Sequence, residues 1–236
     1  MVSFDDVRRL NLGYVLKPAP ATGTGHPQVV PILAYHVNHP DGGVLFDAGI
    51  GPLDAETESF YRPHRIDLVD ALERNGRALS DVRVVVPCHL HFDHVGDLAQ
   101  LTGRPVVAQR IEHELAKEPG YTVEGLADDD TISWELIDGE EELMDGLRIV
   151  PTPGHTAGHQ SLVVRATEGT LVLAGQAFET ASDYSAAYLN LSVSTSGSSN
   201  GATPDLPYPG WMPRLQEFHP SAVVFAHDLP MWTTAN

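Results

Sequence analysis

Between Cys88 and His94 the sequence runs CHLHFDH, which places His89, His91, Asp93 and His94 within six residues. Imidazole and carboxylate together form the donor set that suits zinc and its neighbours. Histidines two apart, such as His89 and His91, can project together from an extended loop. Burying that much polar surface between apolar runs is costly unless something is bound there. Further candidates occupy comparable places: His155 after LRIVPTP, Gln176 after TLVLAG and His227 after AVVFA. A lone histidine is more commonly a surface or hydrogen-bonded residue than a ligand, and His26, His36, His39, His64, His113 and His219 are read that way.

Each candidate lies just past a run that reads as a buried strand. Residues 28–37 read as a strand that turns at NHPDGG and returns as VLFDAG, a hairpin signalled by Asp-Gly and Gly-Gly. Apolar residues from Ile66 to Leu79 recur near helical spacing, with Asp67 in the opening turn and Gly76 near the end. The β-branched run Val82 to Val86 leads into the histidine cluster, and a short helix is expected from about Val95. A looser repeat follows, with RPVVAQ as strand, IEHELAKE as helix and TISWELI as strand. LRIVPTP is the next strand, SLVVRA and GTLVLAG are two more joined by a turn at Glu168-Gly169, and AVVFA is the last. Interleaved strands and helices predict an α/β fold with all parts in a single domain over residues 1–236. In open α/β sheets ligands bind beyond the carboxyl ends of strands, so the loops carrying these residues could converge on one place. The Ser-, Gly- and Pro-rich stretch from Ser192 to Pro209 reads as a long loop, either a surface excursion or a flap over the site.

The chain has 236 residues and a formal charge of −18 at pH 7. Such a field repels phosphate backbones and anionic lipid, which argues against nucleic acid and membrane partners and favours a small-molecule substrate. The single cysteine, Cys88, excludes an internal disulfide framework. MVSFDDVRRL lacks the pattern of a secretory signal and no apolar run reaches membrane-spanning length, so a cytoplasmic location is expected.

HLHFDH at His89 to His94 resembles the HxHxDH pattern of the metallo-β-lactamase superfamily. FDAG at Phe46 to Gly49, TPGHTAGHQSL at Thr152 to Leu162 and AHD at Ala226 to Asp228 resemble its other landmarks, in the same order. Within the superfamily the chain is most similar to the N-acyl-homoserine lactonases, the quorum-quenching hydrolases, which share HLHFDH, TPGHTxGHQS and the HD ending. VVAQRIEHELA, Val106 to Ala116, also resembles their sequence after the first metal loop. The resemblance implies a four-layer αβ/βα sandwich with two adjacent Zn2+ sites: His89, His91 and His155 at the first, Asp93, His94 and His227 at the second. Asp47 would orient a ligand imidazole from behind. The reaction read for such a site is attack of metal-activated water on a lactone, ester or thioester carbonyl; as catalytic groups, Asp93 could accept the proton, and if a single ion binds, Asp93 and His94 are freed from ligation for acid–base work. Phe178, Tyr184, Tyr188 and Trp211 are candidates for the substrate wall.

Two positions depart from the family. Where the lactonases carry an aspartate bridging both metals, this chain has Gln176, and where they carry a tyrosine three residues later it has Glu179. A glutamine offers one neutral carbonyl oxygen and an NH2 that repels metal. Gln176 therefore stands as a weaker seventh candidate ligand, and one ion or two remains open. So do three alternatives: thioester hydrolysis, a non-hydrolytic biosynthetic step on the same fold, and a degenerate member that binds metal or ligand without turnover.

Overall fold

The structure, a computed structural model, describes residues 1–22, 24–195 and 206–234. Seven strands build one sheet: β1 Val7–Lys17, β2 Gln28–Val37, β3 Gly43–Phe46, β4 His64–Arg65, β5 Val82–Val86, β6 Pro105–Gln109 and β7 Ser133–Ile137, in the order β4-β1-β2-β3-β5-β6-β7. Six build the other: β8 Glu141–Met144, β9 Leu147–Pro151, β10 Gln160–Ala166, β11 Gly169–Leu173, β12 Pro220–Val224 and β13 Trp232–Thr233, in the order β13-β12-β11-β10-β9-β8. Chain order thus fills the first sheet before the second. The helices are α1 Ala19–Thr22, α2 Ala55–Tyr61, α3 Leu68–Arg74, α4 Arg110–Leu115, α5 Ala181–Thr195 and α6 Met212–Gln216.

The period-two alternation of the strands sorts their side chains into layers. On β2, Leu33, Tyr35 and Val37 face an apolar cluster shared with Ile149, Leu162, Val164 and Leu171 of the other sheet. Ile32 and Ala34, on the opposite face, join Leu68, Ala71 and Leu72 of α3. Val163 of β10 turns away from its neighbours to meet Tyr184, Ala187 and Leu191 of α5 and Met212 and Leu215 of α6. Helix, sheet, sheet, helix is the resulting order, the four-layer αβ/βα sandwich. Val82 to Val86 can be almost continuously apolar because β5, parallel to both its neighbours, is covered on both faces.

Most elements fall where the periodicity puts them, with shorter helices at both α3 and α4. Asp67 caps α3 by accepting from Val69 N and Asp70 N. Beyond Val95 the chain makes only a 3-10 turn, Leu98–Leu101. The stretch from Ser192 to Pro209 needs correction at its start, because Ser192 to Thr195 form the last turn of α5. Tertiary burial of Tyr184, Ala187 and Leu191 holds that helix in a Ser- and Thr-rich sequence of weak helical propensity. Residues 196–205 of the expected loop lie outside the described residues. β1, to which the sequence pattern assigns no element, pairs along most of its length with β2. Among the described residues no helix is long and apolar enough to cross a membrane.

Candidate metal centre

The loops after β3, β5, β9, β11 and β12 all leave the carboxyl ends of their strands, and backbone hydrogen bonds lace them together. Gln160 N donates to Cys88 O at 2.8 Å, Ala226 N to Gly175 O at 2.9 Å and Ala48 N to His94 O at 2.7 Å. Gly96 lies so close to the backbone of Ile50 that an added Cβ would sit 2.1 Å from the Ile50 carbonyl carbon, so only glycine closes the histidine loop against the Asp47 loop. Gly175, at φ +56°, plays the same part against Cys88.

Four groups of potential ligands converge there among the described residues: two gather Cys88 with His89 and His159 and with Asp47 and His94, and the other two gather the residues that the sequence points to. His89, His91 and His155 offer ligand atoms within 4.8 Å of one another, and so do Asp93, His94 and His227. His155 Nε2 lies 3.1 Å from His91 Nδ1. Asp93 spans the second group, with Oδ1 3.7 Å from His94 Nε2 and Oδ2 3.5 Å from His227 Nε2. The rings of His89 and His94 approach to 4.2 Å between centroids, so the groups are neighbours. His89 Nε2 and His227 Nε2 are buried without any hydrogen-bond partner. An orphaned buried nitrogen is costly unless a ligand completes it.

Outer partners decide which nitrogen carries the lone pair. His227 Nδ1 lies 3.0 Å from the Pro31 carbonyl, which can only accept, so Nδ1 holds the hydrogen and Nε2 is left bare. His94 Nδ1 is 3.1 Å from Asp47 Oδ2, and the other oxygen of Asp47 accepts from Cys88 N at 2.7 Å. Asp47 adopts φ +65°, a strained setting for a non-glycine residue, and that backbone turn points its carboxylate at both partners. Burial, reinforced by neighbouring imidazoles, holds His89 well below its ordinary value and His155 down at about 4, so both are neutral donors. Around His94 burial also opposes charge, but the adjacent Asp93 and Asp47 carboxylates favour it and the imidazole is raised well above its ordinary value. That second group is a place that calls for a cation.

Three residues with structural weight here were not singled out from the sequence. Glu112 on α4 is a buried carboxylate whose Oε1 accepts from Leu90 N at 2.9 Å and the Tyr121 hydroxyl at 2.7 Å. Its Oε2 accepts from the Thr156 hydroxyl at 2.8 Å and Gly158 N at 3.1 Å. It therefore clasps the His89–His91 loop to the His155 loop. His159 is fully buried, its Nε2 accepting from Gln176 N at 3.1 Å and its Nδ1 2.8 Å from the Thr152 hydroxyl, so both nitrogens are already engaged. The Tyr121 ring lies tilted against His91, 4.8 Å between centroids, and borders a cavity of about 690 Å³ whose walls include Leu53, Phe92 and Val123.

The expected substrate wall is redrawn. Tyr184 has no solvent exposure and packs among Phe178, Phe225 and Trp232, its hydroxyl accepting from Gln216 Nε2 at 2.7 Å; it is core, placed there by the inner face of α5. Tyr188 packs on Trp232 and lines a separate cavity with Leu191 and Pro213. Phe178 meets Trp211, whose indole N–H donates to the Pro153 carbonyl at 2.8 Å, two residues before His155. Gln176 lies beside the second group, Oε1 3.3 Å from His94 Nε2.

The family model of the metallo-beta-lactamase superfamily matches residues 27–223. This chain belongs to the metallo-β-lactamase superfamily. Among superfamily members, a protein of Bacillus cereus named N-acyl homoserine lactonase is 28% identical over 157 residues, 61% of this chain and 62% of that protein. The N-acyl homoserine lactonase AttM of Rhizobium radiobacter is 29% identical over 166 residues, 61% of this chain and 63% of its own length. The match thus spans less than two thirds of these relatives. In fold, the chain superposes on a crystal structure of a B. thuringiensis AiiA variant with N-decanoyl-L-homoserine bound, at a TM-score of 0.73 and 21% identity over 97% of this chain and 94% of that one. AidC, described as a dizinc quorum-quenching lactonase, gives a TM-score of 0.64 at 16% identity, covering 98% and 90%.

Proposed function

We propose that this metallo-β-lactamase-fold chain, acting as a single catalytic domain, hydrolyses the ester bond of lactones or simple esters with bound zinc. In this reading His89, His91 and His155 hold one ion, and Asp93, His94 and His227 hold a second. The observation that carries it is the pair of orphaned, buried nitrogens, His89 Nε2 and His227 Nε2, on residues that belong to two separate groups of donors. Spacings of 3.1 to 3.7 Å between donor atoms suit a cation seated among them; ligands at 2.0–2.1 Å in tetrahedral array lie about 3.3 Å apart. The curated relatives named N-acyl homoserine lactonases support the lactone as the favoured class.

A cation held there supplies polarisation of a carbonyl oxygen and a water acidified enough to act as nucleophile near neutral pH. The rest falls to the chain. Asp93, partly open to solvent, is the carboxylate that can take a proton and pass it outward. Asp47 and the Pro31 carbonyl keep His94 and His227 in one tautomer. Glu112 keeps the two histidine loops in register. The cavity beside Phe92, Tyr121 and Val123 can take the apolar part of a substrate and shield it from water.

The test is a panel of N-acyl homoserine lactones, a p-nitrophenyl ester and an acyl thioester, each assayed with the purified chain before and after chelation and after return of zinc. Ring opening that chelation abolishes and zinc restores is the expected result. A zinc-loaded chain inert on all three classes would make it a metal-binding member without turnover, while preference for the thioester would move the substrate class.

A further inference from the structure

Gln176 and Glu179 form a chain of contacts that reaches from the candidate metal pocket to the opposite sheet. Gln176 N donates to His159 Nε2 at 3.1 Å, which fixes where its side chain begins. Its Oε1 sits 3.3 Å from His94 Nε2, and its Nε2 donates to Glu179 Oε1 at 2.9 Å. Glu179 Oε1 in turn lies 3.7 Å from Lys17 Nζ, contributed by β1. We propose that Glu179 is a positioning residue that fixes which end of the Gln176 amide faces the pocket, making Gln176 a neutral oxygen ligand of the second ion. This rests on the metal-binding reading of the site.

The reason lies in the two ends of an amide. The carbonyl oxygen can bind a cation, whereas the NH2 group repels one, and a free side chain presents either. Glu179 removes the ambiguity, because an ionised carboxylate only accepts and so can face only the NH2. The oxygen is then turned toward His94, at the spacing of about 3.3 Å expected for two ligands of one tetrahedral ion. Asp93, His94 and His227 already supply three donors, and Gln176 Oε1 makes a fourth. The arrangement places one anionic ligand, Asp93, in the pocket and keeps the charge of Glu179 one hydrogen bond away, beside Lys17. With this neutral amide oxygen, the second ion is held less tightly than a carboxylate at the same position would hold it, and exchanges more readily.

The experiment reads metal binding rather than turnover. Chains stripped of metal are titrated with Zn2+ against a chromophoric chelator and with Co2+ by its visible absorption. Wild type should take up two equivalents, the second more weakly. Glu179→Ala should weaken the second about tenfold, the scale of losing an outer partner, and leave the first unchanged. Glu179→Gln, whose carbonyl can accept from the same NH2, should restore it to within about twofold. Gln176→Ala, which removes the ligand itself, should cost at least as much as Glu179→Ala, and the double variant should be no worse than Gln176→Ala alone, since Glu179 acts through Gln176. The proposal is overturned by wild-type affinity in Glu179→Ala, by equal losses in the Ala and Gln variants, by additive losses in the double variant, or by uptake of a single equivalent in wild type. A chain that binds no metal at all defeats the functional reading along with it.

Discussion

His36 and His89 are both shut off from solvent, and both carry an imidazole nitrogen with no hydrogen-bond partner. They differ in what stands around them. His89 Nε2 belongs to a group with His91 and His155, and its ring lies 4.2 Å from that of His94. His36, on β2, has both nitrogens orphaned and joins no group of potential ligands among the described residues. Its Nε2 is pressed against Gly43, where an added Cβ would come within 2.5 Å. Burial pushes its imidazole down to about 4, against Asp81, which favours the charge. An orphaned nitrogen therefore marks a site only where other donors converge on it; elsewhere it is a neutral histidine tolerated by the packing.

The largest effect separating the two environments should come from the clasp behind the ligand loops. Glu112→Ala strands Leu90 N, Gly158 N and two hydroxyls in the interior, at a cost of about 1–3 kcal/mol for each donor left unpaired. We expect a loss of at least about 3 kcal/mol in urea unfolding of the metal-free chain, with Glu112→Gln retaining part of it. Unchanged stability would mean that the loops hold their register without Glu112.

Removing a donor should come next. His89→Ala is expected to lower affinity for the first zinc by more than the 10- to 100-fold typical of outer-partner losses, whereas His36→Leu should leave metal content as it is. Elemental analysis of the two variants after gel filtration decides the point, and a fully loaded His89→Ala would erase the distinction between the two histidines.

A third effect belongs to His36 alone. Its folded value of about 4 lies below the ordinary 6.5. The unfolded chain therefore binds the extra proton first as pH falls, so stability is fully present above about 6.5 and is lost on acidification toward 4. Between pH 7.5 and pH 5 this amounts to about 2 kcal/mol. The drop measured for wild type in chelator should shrink by about that amount in His36→Leu. An equal drop in both would show that His36 takes up its proton in the folded chain as readily as in the unfolded one.

These contrasts also explain how much could be read from the sequence. The donors of HLHFDH lie within six residues and follow a β-branched run, so the cluster and the strand before it are legible without coordinates. Glu112 was not, because in IEHELAKE it is one acidic residue among three and nothing local distinguishes the one that turns inward. Nearness to an expected loop points Tyr184 toward the substrate wall, and only the packing of α5 on the second sheet puts it in the core. β1 does alternate from Arg9 to Leu12, but the irregularity in its pairing between Asn11 and Tyr14 shifts the phase, so no single period-two run spans the strand. Composition and period report local structure, whereas the inner faces of helices and the convergence of loops are tertiary facts.

The smallest effect, and the sharpest on the comparison, is expected at Asp47. His36 has no carboxylate paired with its ring, but His94 Nδ1 has Asp47 Oδ2 at ion-pair distance, 3.1 Å, with Cys88 Sγ beside it at 3.4 Å. Asp47→Asn keeps the volume, keeps an oxygen for Cys88 N–H, and tolerates the positive φ that asparagine also adopts. With its oxygen toward Cys88, the new side chain turns its NH2 toward His94 Nδ1, which must then accept. The ring hydrogen moves to Nε2, the atom facing Asp93 and Gln176, and the lone pair that would hold the second ion is lost from that face. Affinity for the second equivalent of zinc should fall about tenfold, or about 1.4 kcal/mol, while the first is unaltered. Should both equivalents weaken together, Asp47 would be holding the whole histidine loop through Cys88 N–H rather than the tautomer of one ring; should neither weaken, His94 would present its lone pair unaided, and a carboxylate behind the imidazole would not be what separates it from His36.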